Sequence, residues 1–152
     1  MSIIKTYKGK LPIGVEEKIH LSTNDGLTGY RINKFQIISS TPGSGNVELV
    51  AKITITPDTN IGPTVDFSDP DLLAVNYTRD GTTNERPYTE NIIFDKETIN
   101  QDIFINITDA GGATTPANFY MELEQFKLDL NTSTYHTLKN IRSETETGFT
   151  IL

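Results

Sequence analysis

The stretch FYMELEQFKLDL, residues 119–130, decides how this chain is read. Every second residue from Phe119 gives Phe119, Met121 and Leu123, and then Gln125. A fresh start at Phe126 gives Phe126, Leu128 and Leu130. Strand side chains alternate between two faces, so an apolar face that changes parity needs a physical cause. A β-bulge at Glu124–Phe126 adds the one residue required and lets the strand turn a corner within a single core. The other account is burial on both faces after Gln125, with a neighbouring subunit on the second face. The bulge is the expectation taken forward.

Working outward, the same period of two recurs. In NVELVAKITITPD, residues 46–58, Val47, Leu49, Ala51, Ile53 and Ile55 point inward, and Glu48, Lys52 and Thr54 outward, until Pro57 ends the run. GYRINKFQII (29–38) is a β-rich run, joined to it by the turn-forming SSTPGSGN (39–46). LLAVNYT (72–78), TENIIFD (89–95) and QDIFINIT (101–108) follow, the last with Ile103, Ile105 and Ile107 on one face. SIIKTYK (2–8) and EEKIHLS (16–22) are weaker candidates. About eight short strands separated by turn chemistry predict a sandwich or barrel. One short helix is expected in NTSTYHTLKNIR (131–142), capped by Asn131, with Thr134, Leu138 and Ile141 on one stripe. The expected fold is therefore all-β: a single-domain antiparallel sandwich, jelly-roll-like, over residues 1–142, with an extension at 143–152. Val47, Leu49, Ile53, Ile55, Ile103, Ile105, Phe119, Met121 and Leu123 should share its core.

Composition sets limits on function. At 152 residues the chain has one domain's length and can bury a core unaided. A net charge of −7 argues against nucleic acid as partner. No apolar run approaches the ~20 residues of a membrane span. The start, MSIIKTYKGK, lacks the apolar core of a signal peptide, so use without Sec export is expected. Cysteine is absent, which removes disulfides, thiolate ligands and a cysteine nucleophile together.

Reactive chemistry is sparse. His20 and His136 each stand among polar residues, and no G-x-S-x-G elbow accompanies them. TPGSG at 41–45 lacks the Lys-Ser/Thr of a phosphate loop. DFSDPD offers Asp66, Ser68, Asp69 and Asp71 as hard oxygen ligands for calcium, but an Asp-Pro turn explains the same residues. Glu85, Glu90, Asp95 and Glu97 flank one strand, where carboxylates are usually solvated rather than set for glycosidase work. No catalytic residue, metal ligand or cofactor is assigned, and an enzyme is not expected.

The C-terminal third carries a resemblance. Tyr120, Glu122, Leu123, Glu124, Gln125, Lys127 and Leu128, followed by Thr137, Leu138, Lys139, Asn140, Ile141 and Arg142, resemble small virion structural proteins of tailed, marine-type bacteriophages. There a Y-x-E-L-E-Q-x-K-L strand leads into a short helix and a polar tail. The resemblance implies a capsid decoration protein or minor virion component, assembled in the host cytoplasm on the major capsid protein or other virion proteins, and homo-oligomeric. The alternative is a carbohydrate- or receptor-binding module, with Tyr77, Tyr88 and Tyr120 as candidate aromatic platform. Finally, polar Ser143–Gly148 precedes Phe149, Ile151 and Leu152. That order leaves two readings, a disordered tail or an arm whose apolar tip adds to a neighbour's sheet edge, and the arm is the expectation taken forward.

Overall fold

The computed structural model describes residues 2–43, 47–80, 86–94, 98–112 and 114–146, with side chains to residue 139. Eight strands and one helix follow in order: β1 (Ile3–Leu11), β2 (Glu16–Ile19), β3 (Thr28–Ser39), β4 (Glu48–Thr54), β5 (Leu72–Arg79), β6 (Tyr88–Ile93), β7 (Ile103–Asp109), β8 (Ala117–Lys127) and α1 (Leu130–Glu146). Each of the expected strands is present. All pairings are antiparallel, in a three-stranded sheet of order β1-β8-β3 and a five-stranded sheet of order β2-β7-β4-β5-β6.

The order is that of a jelly roll, a long antiparallel ribbon wound over itself. The first strand pairs with the last, the second with the seventh and the fourth with the fifth. The remaining pair is altered. β6 stays hydrogen-bonded to β5, and the place beside β3 is held by a bridge between Tyr30 and Ile99. Its two backbone bonds measure 2.7 and 2.8 Å.

Alternation on β4, β7 and β8 builds the core between the sheets. All nine residues expected there are in it, with Leu49 at 1% exposure and Ile53, Ile103, Ile105, Met121 and Leu123 at 0%.

Two expectations are corrected. The bulge is not at Glu124–Phe126. β8 pairs with β1 without interruption from Ala117 to Gln125, and the register shift lies between Ile32 and Lys34 of β3. The extra residue is Asn33, which explains why Tyr30 and Ile32 point inward, followed by Phe35 and Ile37. On β8 the parity change has a different cause. Gln125 keeps the inward parity where the core runs out and accepts a hydrogen bond from the Tyr30 hydroxyl at 3.3 Å. Phe126 and Leu128 point to the other face and cover Gly29.

β4 is also buried on both faces, where half-burial was expected. Val50, Lys52 and Thr54 are buried on its outer side, with Asn106 and Thr108 of β7. The β4–β5 connection, residues 55–71, folds over that face. Lys52 Nζ donates to the Thr64 carbonyl at 3.2 Å and pairs with Asp58 at 3.2 Å, and Asn106 also donates to Asp58. Burial pushes the Asp58 carboxyl up, but the Asn60 amide, Lys52 and Asn106 outweigh it and hold it below the usual range.

Candidate functional site

The residues singled out for chemistry do not converge. His20 is exposed on β2's flank, with Nδ1 3.3 Å from Asp102 Oδ1. Asp102 accepts the amides of Leu21 and Ser22, each at 2.8 Å, and pairs with Lys18 at 3.2 Å. Burial acts to raise its pKa, but these donors lower it to about 2. The nearby Ser22 hydroxyl bonds the carboxylate, whereas a triad places the hydroxyl on the imidazole. Asp102 therefore ties β2's exit to β7's entry. His136 lies on α1, half-buried, and burial lowers its pKa.

The acidic candidates are spread in the same way. Asp66 accepts the amide and hydroxyl of Ser68, and Asp69 accepts the amide of Asp71. Asp71 is buried and takes the Thr56 hydroxyl at 2.9 Å. These are turn-forming bonds, and no group of three or more His, Cys, Asp or Glu gathers for a metal among the described residues. Glu90 accepts the Tyr88 hydroxyl at 2.9 Å on exposed β6, while Glu85, Asp95 and Glu97 lie outside the described residues. A polar cleft of about 530 Å³ opens beside Lys52, Thr54, Asp58, Asn60, Thr64 and Asp66. Its buried charges are already paired across the loop they hold down.

The aromatic platform is divided. Tyr77 and Tyr88 are neighbours on the outer face of the five-stranded sheet, with ring centroids 6.0 Å apart and Arg79 over Tyr88. Tyr120 lies on the outer face of the other sheet, in the cross-strand row Lys8–Tyr120–Gln36.

The surface that stands out is at the end where β8 leaves the sandwich. Asp129 caps α1, its carboxylate accepting the Thr132 amide at 2.7 Å, so the cap lies two residues before the expected Asn131. Thr132's amide, first, holds Asp129 below the usual carboxylate range. The helix then meets the body through polar groups. The Ser133 hydroxyl donates to the Gly26 carbonyl at 2.6 Å. The Asn100 amide donates to the Ser133 carbonyl, the Thr137 hydroxyl and the Gly26 carbonyl at 3.2, 2.9 and 3.2 Å. Gly26 has φ 66, and a Cβ there would stand 3.1 Å from the Ser133 hydroxyl, so two separate demands call for glycine.

The described apolar side chains of α1, Leu130, Tyr135 and Leu138, face the other way. Ser133 is 4% exposed, whereas Leu130 is 72%, Tyr135 63% and Leu138 62% exposed. Of the expected stripe of Thr134, Leu138 and Ile141, Thr134 and Leu138 face water, and the Ile141 side chain lies outside the described residues. Among the described residues no strand packs broadly along the helix. At the same end, β1 begins with Ile3 and Ile4, 50% and 51% exposed and opposite Gln125 and Glu124. β1 is an edge strand.

The expected arm residues Phe149, Ile151 and Leu152 lie outside the described residues. Of the expected polar spacer, Ser143–Glu146 is helical. Sequence reasoning missed Asn100, whose neighbours in the chain give no sign of a partner on α1. It also read Lys52 as solvated, since a lysine in an alternating strand normally is.

Compared with known proteins, the chain matches no family model, and no curated protein is significantly similar to it.

Proposed function

We propose that this chain is a non-enzymatic structural subunit of a phage virion, a decoration or stabilising protein at the capsid surface. Its partners are the major capsid protein or other virion proteins, and it joins them in the host cytoplasm. The observation that carries the reading is the orientation of α1. A helix fixed by Ser133, Thr137 and Asn100, with Leu130, Tyr135 and Leu138 in water, has no apolar cover for that face among the described residues, and a face of this kind supports a reading as a contact surface for another molecule. A short helix without tertiary packing is marginal in water, so the contact also stabilises it. The resemblance of the β8–α1 stretch to phage structural proteins names the kind of assembly. Peptide mass spectrometry across a density gradient of purified particles tests the reading. The chain should band with the capsid protein at a constant ratio, and absence from the particle band overturns it.

A second reading, a carbohydrate-binding module, is favoured by the adjacent Tyr77 and Tyr88 with Glu90 and Arg79 beside them. Glycan-array binding by the isolated chain, lost in Tyr88→Ala, supports it over the first.

A further inference from the structure

We propose that the outer face of the three-stranded sheet binds an acidic saccharide, one that carries a carboxylate. The site is a groove of about 500 Å³ over β8, lined by Lys8 and Lys10 of β1, Asn118 and Tyr120 of β8, and Gln36 and Ile38 of β3. Small-molecule sites have volumes of about 300–1,000 Å³. The inference does not rest on the assembly reading, and its face is not the one that holds Tyr77 and Tyr88.

The register puts these six side chains together. Lys8 and Gln36 flank Tyr120 in one cross-strand row, and Lys10 and Ile38 flank Asn118 in another. Within each strand the two positions are two apart, so alternation sends both to the same side. The residues between them on β8 and β3, Phe119 and Ile37, point into the core. The two rows therefore form one patch across three strands.

Charge is unevenly placed on this face. Toward the α1 end, Glu124 stands across from Arg31, and Glu122 from Lys34, so each acid faces a base. The two rows of the groove hold two lysines and no acid, on a chain of net charge −7. Neither lysine forms an ion pair among the described residues. Glu122, one row away, accepts the Tyr120 hydroxyl at 3.4 Å and does not line the groove. Lysines on an edge strand discourage pairing, which accounts for their presence on β1. It does not account for the missing acids on β8 and β3, nor for Ile38, 59% exposed in the same patch. A carboxylate on the ligand supplies the charge that the face lacks.

The remaining groups fit a sugar better than a peptide. The Tyr120 ring and the Ile38 side chain offer apolar surface for the C–H face of a sugar ring. Gln36 and Asn118 are exposed and have no side-chain hydrogen-bond partner among the described residues. Each amide both donates and accepts, as recognition of sugar hydroxyls requires. Lysine stems add apolar wall while their ammonium heads stay in water. An extended peptide, by contrast, binds a sheet chiefly through a free strand edge. This groove lies over β8, which is hydrogen-bonded to β1 on one side and β3 on the other, so it offers no such edge.

The test is an array of glycans bearing uronic or sialic acid, each beside its carboxyl-reduced counterpart, probed with the purified chain. Acidic members should be retained and their neutral counterparts should not. In calorimetry with a retained glycan, the double variant Lys8→Gln, Lys10→Gln and the variant Tyr120→Ala should each bind at least about tenfold more weakly. Added salt should weaken binding by the unmodified chain, as for any exposed charge contact. Both lysines are exposed, so the double variant should keep its melting temperature even if Tyr120→Ala does not. Tyr88→Ala should bind as the unmodified chain does. Retention of no acidic glycan overturns the inference, as does equal retention of the carboxyl-reduced forms. Unchanged affinity in the double lysine variant, or equally tight binding of poly-glutamate, overturns it too. Banding with particles is measured without any glycan, so this inference and the virion reading fail separately.

Discussion

Phe126 of β8 lies across the ladder from Gly29 of β3, and its ring occupies the space a side chain at Gly29 would need. A Cβ on Gly29 would stand 3.0 Å from Phe126 and 2.9 Å from Leu128. Arg31 lies over the outer side of the same ring, 4.8 Å from its centroid. The β8 strand therefore never changes faces. Its inner face ends at Leu123, and its outer face is apolar where the partner strand offers glycine. Gly29→Val should destabilise the fold by about 1–3 kcal/mol through overpacking. Chemical denaturation checks this, and an unchanged midpoint would show the ring to be free to move aside.

Leu49 has 1% of its surface exposed and sits on the most enclosed strand. Leu49→Ala should cost about 2–5 kcal/mol by leaving a cavity between the sheets. A loss below half a kcal/mol, on the order of a surface change, would place Leu49 outside the core.

Lys52 and Asp58 form a pair whose removal is unequal to its loss by halves. Lys52→Met leaves the Asp58 carboxylate under the loop without its cation and should cost about 3–5 kcal/mol. Lys52→Met combined with Asp58→Asn should recover much of that, since the double variant leaves no unpaired charge. Simple additivity of the two single changes would mean that the pair is not coupled.

Asp102 makes a pH prediction. Its folded pKa, about 2, lies below the ordinary value of 3.8, so the charged form favours the fold. The contribution is complete above the ordinary value and is lost as pH falls through 3.8 towards 2. Asp102→Asn keeps an oxygen for the Leu21 and Ser22 amides but cannot titrate. Its melting temperature should therefore depend less on pH across that window than the unmodified chain's. Parallel curves for the two proteins would refute the assignment.

Deleting residues 149–152 should leave the sandwich folded, since its core lies between strands that end at Lys127. If the segment is the arm suggested by its composition, the deletion weakens incorporation into particles. Unchanged occupancy and unchanged thermal release would remove that role from Phe149, Ile151 and Leu152.

Much of the fold was legible because alternation on β4, β7 and β8 is a local property of the chain. The core positions Val47, Leu49, Ile103, Phe119 and Leu123 follow from it directly. The bulge was legible too, but in β3. Tyr30 and Ile32 against Phe35 and Ile37 record the extra residue at Asn33, while Phe126 imitates the same signal for a packing reason. Long-range polar contacts were not legible. Nothing near Lys52 announces Asp58 as its partner, and nothing near Asn100 announces Thr137. The direction α1 faces was equally hidden, because an apolar stripe on a helix shows what can be buried and not against what.

The central claim is that the exposed end of this sandwich, with α1 and β1, exists to be covered in a particle. An electron-microscopy map of the native particle, at a resolution that shows domains, tests it most directly. The account predicts repeated density at the capsid surface that fits the eight-stranded sandwich, with the α1 end buried against a neighbour. A complete particle without such density, or one that holds the sandwich with α1 pointing into solvent, would contradict it.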